Sequence, residues 1–178
     1  MKNREDITSL LDSRSIGCEL GVFKGDFSKV LLDSGKFDQL YLVDPFSGSI
    51  QSGDKNGNNA EIHDGESLFS SVSKRFEHVN NVFVTRQRSD EFLSIFRDNF
   101  FDFIYIDTTH QYDQTILELE LAYKKIKNNG IVAGHDYHPQ MFGEVVNAVQ
   151  FFSNKYNLPF TLTTDDVLNT YIFLIQKP

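Results

Sequence analysis

No tryptophan occurs among the 178 residues, cysteine occurs once, and basic residues are outnumbered by acidic ones, 17 to 25. Nowhere does an apolar run approach the roughly 18 residues that a membrane-spanning helix requires, and no apolar stretch follows the charged N-terminus. A soluble, cytoplasmic chain without a membrane partner is therefore expected. The lone Cys18 cannot form an internal disulfide, and its place in an apolar run predicts a buried, inert thiol in a reducing compartment. A formal net charge of -8 excludes a surface of clustered Lys and Arg, so nucleic acid is not an expected partner and a small molecule is. No internal repeat is present.

Phenylalanine, with 17 copies, does the bulky filling that tryptophan does not, and the 40% hydrophobic and 24% charged residues are ordinary for a globular protein. The length fits one domain spanning residues 1–178. Short apolar runs at 16–20, 39–43, 81–85, 101–107, 131–133, 160–163 and 171–175 predict seven strands. Segments of helical period alternate with them at 26–33, 66–76, 90–96, 113–127 and 142–156, with a short one at 4–11. This alternation predicts an α/β fold, a mostly parallel sheet with helices on both faces. In the 113–127 segment, Ile116, Leu119, Ala122, Tyr123 and Ile126 recur at helical spacing, and Asn128-Asn129-Gly130 supplies a stop. The last two strands follow without a helix between them, so the final one is expected to run antiparallel. Residues 47–59, rich in Ser, Gly and Asn, are expected to form a mobile lid.

Ligands of open α/β sheets bind beyond the carboxyl ends of the strands, where strand order reverses. After the first strand, Gly21 and Gly25 permit a tight turn and a close backbone approach, although the full G-x-G-x-x-G spacing is lacking. Glu19 is a poor neighbour for a pyrophosphate but a good acceptor for a ligand ammonium. Asp44, 19 positions beyond Gly25, stands where a carboxylate meets ribose hydroxyls. Asp90 reads as a helix cap, while Arg88 and Ser89 border an adenine. The fourth and fifth strand ends carry Asp107, His110, His135, Asp136 and His138. If those strands are neighbours, Asp107 and Asp136 converge and, with His135, are candidate ligands for a divalent cation. His110, whose ordinary pKa lies near working pH, is a candidate general base.

The segments Glu-Leu-Gly-Val-Phe-Lys-Gly-Asp-Phe-Ser at 19–28, Leu-Val-Asp-Pro-Phe at 42–46 and Tyr-Ile-Asp-Thr-Thr-His-Gln-Tyr at 105–112 resemble class I S-adenosylmethionine-dependent methyltransferases. Within that class the chain is similar to small-molecule O-methyltransferases such as macrocin O-methyltransferase and to cephalosporin hydroxylase-like proteins. The resemblance implies a Rossmann-like sheet closed by an antiparallel last strand. It implies Glu19, Gly21 and Gly25 around the methionine moiety, Asp44 on the ribose and Ser89 beside the adenine. It also implies Asp107 and Asp136 as magnesium ligands and His110 as general base. His135 stands where metal-dependent relatives often carry an acid, so a softer metal, or none, also fits. The expected activity is methyl transfer to a small-molecule acceptor, an oxygen by resemblance. A metal-dependent hydrolase using Asp107, His110, His135 and Asp136, and a non-catalytic S-adenosylmethionine-binding module, are the alternatives. A homo-oligomer is compatible with the sequence.

Overall fold

The computed structural model describes residues 4–51, 61–164 and 171–178. Nine strands are distributed over it: β1 (Ser15–Leu20), β2 (Phe37–Asp44), β3 (Ser49–Gln51), β4 (Glu61–His63), β5 (Val82–Arg86), β6 (Phe101–Ile106), β7 (Ile126–Tyr137), β8 (Phe160–Thr164) and β9 (Tyr171–Gln176). Five α-helices join them: α1 (Asp26–Asp33), α2 (Gly65–Phe76), α3 (Ser89–Ser94), α4 (Tyr112–Lys125) and α5 (Gly143–Tyr156), after a 3-10 helix at Glu5–Leu10. Seven strands form one sheet in the order β5-β2-β1-β6-β7-β9-β8, and β3 pairs with β4 in a separate hairpin. Strand β9 is antiparallel to both β7 and β8, while the other neighbours are parallel. The expected Rossmann-like architecture with an antiparallel ending is therefore present.

Side-chain alternation along the central strands divides the core between the two faces. Leu40, Leu42, Phe103 and Tyr105 pack with Ile7, Leu31 and Val72, under the 3-10 helix, α1 and α2. Val43, Ile104 and Ile106 pack on the other side with Phe92, Leu119, Val149 and Phe152 of α3, α4 and α5. Cys18 belongs to this second cluster, and burial pushes its thiol well above the usual value, in keeping with an inert role.

Three local expectations are corrected. Helix α4 ends at Lys125, not Lys127, because Ile126 turns to extended backbone (φ -75°, ψ 141°) and pairs with Phe101 in the sheet. Burying Ile126 fully there outweighs two more helical residues, and Asn128-Asn129-Gly130 falls within β7 at the register shift between the Ile126 and Ile131 pairings. Arg88, not Asp90, occupies the cap position of α3, with no side-chain cap bond. Within the expected 47–59 loop, Ser49–Gln51 is strand, and residues 52–59 lie outside the described residues.

The chain leaves β1 through β2 and β5 on one side, then crosses to β6 on the other, so strand order reverses between β1 and β6. The end of β1 is tied to both neighbours: the Asp107 N–H after β6 donates to the Leu20 carbonyl at 2.8 Å, and the Gly21 N–H to the Val43 carbonyl of β2 at 2.8 Å. A cleft at this switch point is the consequence to test.

Candidate functional site

An open cleft of about 750 Å³ lies there, lined by Glu19, Gly21, Asp44, Arg88, Ser89, Asp107, His110 and Asp136 among others. Of the residues singled out from the sequence, His135 borders it too, whereas Gly25, Asp90 and His138 do not. Gly21 has φ +91°, and a β-carbon on it would stand 1.8 Å from the Asp107 carbonyl oxygen, so the two strand ends can meet only over a glycine. Gly25 has φ +76° and caps α1 from the left-handed region.

Asp44 serves the turn before any ligand. Its Oδ2 accepts the Val22 and Phe23 N–H groups at 2.9 and 3.0 Å, and its Oδ1 accepts the Phe46 N–H at 2.6 Å. One carboxylate at the end of β2 thus fixes the loop after β1. Carboxylate oxygens have lone pairs beyond these three bonds, so ribose hydroxyls remain within its capacity.

Glu19 is 2% exposed and accepts a hydrogen bond from the Ser28 hydroxyl. Burial pushes its carboxyl up to about 8 against the Ser28 bond, with Asp107 and Asp44 adding to the rise and Arg4 opposing it. Because the folded value exceeds the ordinary 4.5, this group stabilises the fold fully below about pH 4.5 and loses that contribution as pH rises through about 8. Urea midpoints at pH 5 and 8.5 should therefore fall further in the wild type than in Glu19→Gln, which keeps an acceptor for Ser28. Equal falls in the two proteins would remove Glu19 as the source.

At the other end of the cleft the Arg88 guanidinium is held by Asp90 at 3.0 and 3.2 Å, so it does not act as a free cation there. The Ser89 hydroxyl donates to Glu118, a fully buried carboxyl of α4 that sequence reasoning missed. Thr108 donates to the same carboxyl at 2.6 Å and Gln114 at 2.9 Å. Burial raises the Glu118 pKa, and the three hydrogen bonds oppose that rise. The signal for it was a buried polar stripe, Thr115, Glu118 and Lys125, at helical spacing beside Leu119 and Ala122.

Strands β6 and β7 are neighbours, with Ile106 opposite Gly134, so Asp107 and Asp136 do converge. His110 Nε2 lies 2.6 Å from Asp136 Oδ2 and 3.9 Å from Asp107 Oδ1, while His135 Nδ1 lies 2.9 Å from Asp136 Oδ1. The carboxylates of Asp107, at 3.9 Å, and of Asp136, within hydrogen-bond reach at 2.6 Å, hold the His110 imidazole up at about 9, against the effect of its burial. Burial works to raise the Asp136 carboxyl, yet the two histidines carry it well below the usual range. At neutral pH His110 is therefore an imidazolium, not the ready general base expected from its ordinary pKa. Both His110 (φ +59°) and Asp136 (φ +61°) occupy the left-handed region, a local strain that the cluster's bonds hold in place. Among the described residues, Asp107, His110 and Asp136 have donor atoms within 4.8 Å of one another and form a candidate cation group. His110 takes the place in it expected for His135, which instead contacts the other oxygen of Asp136. His138 closes the turn before α5, accepting the Gln140 and Met141 N–H groups on Nδ1 at 3.3 and 3.2 Å.

Residues 18–137 match a family described as Methyltransferase domain. No curated protein matches the chain. Solved structures share its fold at low identity. They include an rRNA methylase from Streptococcus thermophilus (13% identity, TM-score 0.67, 97% of this chain and 93% of that one). N-methyltransferase NodS from Bradyrhizobium japonicum WM9 is also similar (13%, 0.64, 98% and 91%). So is a Streptococcus mutans protein solved in complex with SAH (12%, 0.69, 98% and 95%). Among the described residues no helix is long and apolar enough to cross a membrane.

Proposed function

The chain belongs to the methyltransferase-domain family, and from that premise we propose that it transfers a methyl group from S-adenosylmethionine to a hydroxyl of a small molecule. The observation that carries this reading is the cleft at the β1/β6 switch point, with Glu19 and Asp107 at one end and Ser89 and Glu118 at the other. The Asp107 carboxylate suits an ammonium, with the Glu19 carboxyl, neutral below about pH 8, beside it as a hydrogen-bond acceptor, while Asp44 suits the ribose diol and the Ser89 region the nucleobase. The volume falls within the range of about 300–1,000 Å³ usual for small-molecule sites. A net charge of -8 supports a small acceptor over a nucleic acid.

S-adenosylmethionine supplies an electrophilic methyl sulfonium, so the protein's task is chiefly to place the acceptor oxygen in line and to manage its proton. His110 and Asp136 lie together at the edge of the cleft and are the groups able to do the latter. In the imidazolium state His110 orients an acceptor by donating, and it takes a proton only after losing its own. Asp107, His110 and Asp136 would alternatively hold a divalent cation, which would supply Lewis-acid help to the acceptor hydroxyl and would require His110 in its neutral form.

The test is calorimetric titration with S-adenosylmethionine, S-adenosylhomocysteine, Mg2+ and Mn2+, followed by release of S-adenosylhomocysteine over a panel of hydroxylated acceptors. Micromolar binding of the cosubstrate and turnover of an oxygen acceptor are expected. Metal binding without cosubstrate binding would favour the hydrolase, and cosubstrate binding without turnover a binding module.

A further inference from the structure

The sheet ends on one side at β5, and this edge lacks the features that ordinarily keep an edge strand from pairing. Strand β5 bonds to β2 through alternate residues. The Leu40 N–H donates to the Asn81 carbonyl at 2.8 Å and the Gln87 N–H to the Asp44 carbonyl at 3.1 Å, so residues 81, 83, 85 and 87 turn their backbone groups inward. The backbone groups of Val82, Val84 and Arg86 therefore point out of the sheet. The Val82 N–H is taken by the Val79 carbonyl at 3.1 Å, whereas the Val84 N–H and carbonyl have no backbone partner among the described residues. Val82–Arg86 contains no proline, no lysine and no bulge. Its one charge, Arg86, turns to α2 and the loop after β2, meeting Glu66 at 2.6 Å and the Phe46 carbonyl at 3.2 Å. At the opposite edge, β8 begins directly after Pro159. The sheet face beside β5 is apolar as well. Phe83 stacks on Tyr41, ring centres 5.1 Å apart, and Phe92 and Phe96 pack on Tyr41, but α3 is only six residues long and Phe83 stays 42% exposed. Ile95, at the end of α3, is 70% exposed.

We propose that β5 is the subunit interface of a homodimer, in which two copies join their sheets antiparallel about a two-fold axis at Val84. The strand itself identifies a second copy as the occupant. With Val84 opposite Val84 of the second copy, outward-facing residues meet outward-facing residues along the whole strand, Val82 opposite Arg86. The two Val84 residues exchange their N–H and carbonyl bonds, and each Val82 carbonyl accepts the opposed Arg86 N–H, so the turn at Val82 stays intact. Phe83 then faces Thr85 of the second copy on the Tyr41 side of the sheet, and the two Phe83 rings take the diagonal spacing that aromatic side chains bridge. Charge agrees with this direction. An antiparallel pair sets the Arg86 and Arg88 end of one strand beside the Glu77 end of the other, whereas a parallel pair sets like ends together. A net charge of -8 on each copy opposes contact through a charged face, and Val82–Thr85 is uncharged. Strand β2 separates this edge from β1 and β6, so the proposal is independent of what the cleft binds.

The experiment is analytical ultracentrifugation of the full chain over a concentration series, with amide hydrogen exchange read at Val84, for the wild type, Val84→Pro and Phe83→Lys. Proline suits position 84 because the N–H it removes bonds no other backbone group of the same copy among the described residues. Thermal unfolding establishes that each variant folds, and Phe83→Lys, a change at an exposed side chain, serves if proline unfolds the strand. The wild type should sediment as a dimer at micromolar concentration, with its Val84 amide protected from exchange. Each variant should weaken the dimer by about 100-fold, the weight of a pair of backbone hydrogen bonds, and the Val84 amide of Phe83→Lys should exchange freely. A wild type that stays monomeric throughout the series, its edge left to some other protein's strand, overturns the proposal. So does a dimer that keeps its affinity in either folded variant, because its interface then lies elsewhere. Assembly beyond a dimer overturns it too, since isologous pairing uses each edge once and closes.

Discussion

Gly21→Ala is expected to destabilise the protein by about 4 kcal/mol or more, and to abolish measurable cosubstrate binding in whatever fraction still folds. Two penalties coincide at this position. The backbone has φ +91°, where any β-carbon is strained by roughly 1–2 kcal/mol, and the added carbon would lie 1.8 Å from the Asp107 carbonyl oxygen. That oxygen is main chain and cannot swing aside, so relief requires prising β1 from β6 where the Asp107 N–H bonds the Leu20 carbonyl. Gly35→Ala separates the two penalties. Gly35 also has a left-handed φ, +66°, but nothing lies within 4 Å of its ideal β-carbon. That variant should lose only about 1 kcal/mol. Urea midpoints for both variants measure the difference, and similar losses would show that the close approach of β1 to β6 has no energetic weight.

The sequence was most informative where an element's period and its neighbours in the chain decide the outcome. Asp107 and Asp136 could be paired in advance because each ends a run of apolar residues, and adjacent parallel strands bring such ends to one edge. Gly21 was legible as a turn glycine, but its dependence on the Asp107 carbonyl was not, since that contact joins positions far apart in the chain. The protonation of His110 was illegible for a related reason. Its ordinary pKa suggests a base, and only the placement of two carboxylates at 2.6 and 3.9 Å reverses that. Arg4 gave no local signal, because packing of Ile7 under the 3-10 helix is what carries the segment to the cleft. The end of α4 was misjudged because a glycine-asparagine stop was weighed and the pairing of Ile126 with Phe101, a tertiary gain, was not.

The same distinction between local and tertiary roles governs Asp44, whose truncation to alanine should carry the second-largest effect. Read from spacing, Asp44 is a ribose acceptor. In the folded chain it is first an acceptor for the amides of Val22, Phe23 and Phe46, at 2.9, 3.0 and 2.6 Å. Losing a charged partner to several backbone donors costs about 1.5–3 kcal/mol per bond when no water replaces it. The site is half-buried and water will replace part of the loss, so Asp44→Ala should destabilise the fold by about 3 kcal/mol. It should weaken cosubstrate binding by about 100-fold or more, because the loop after β1 loses its shape and the ribose its acceptor. Asp44→Asn should fall between, since its oxygen can serve Val22 and Phe23 while its NH2 is left facing the Phe46 N–H. If Asp44 acted on ribose alone, both variants would unfold at the wild-type urea midpoint and differ only in affinity. If it acted on the loop alone, a 2′-deoxy cosubstrate would lose as much affinity for Asp44→Asn as for the wild type. A dual role requires the midpoints to drop in the order wild type, Asn, Ala, and the penalty for the missing hydroxyl to shrink in that order too.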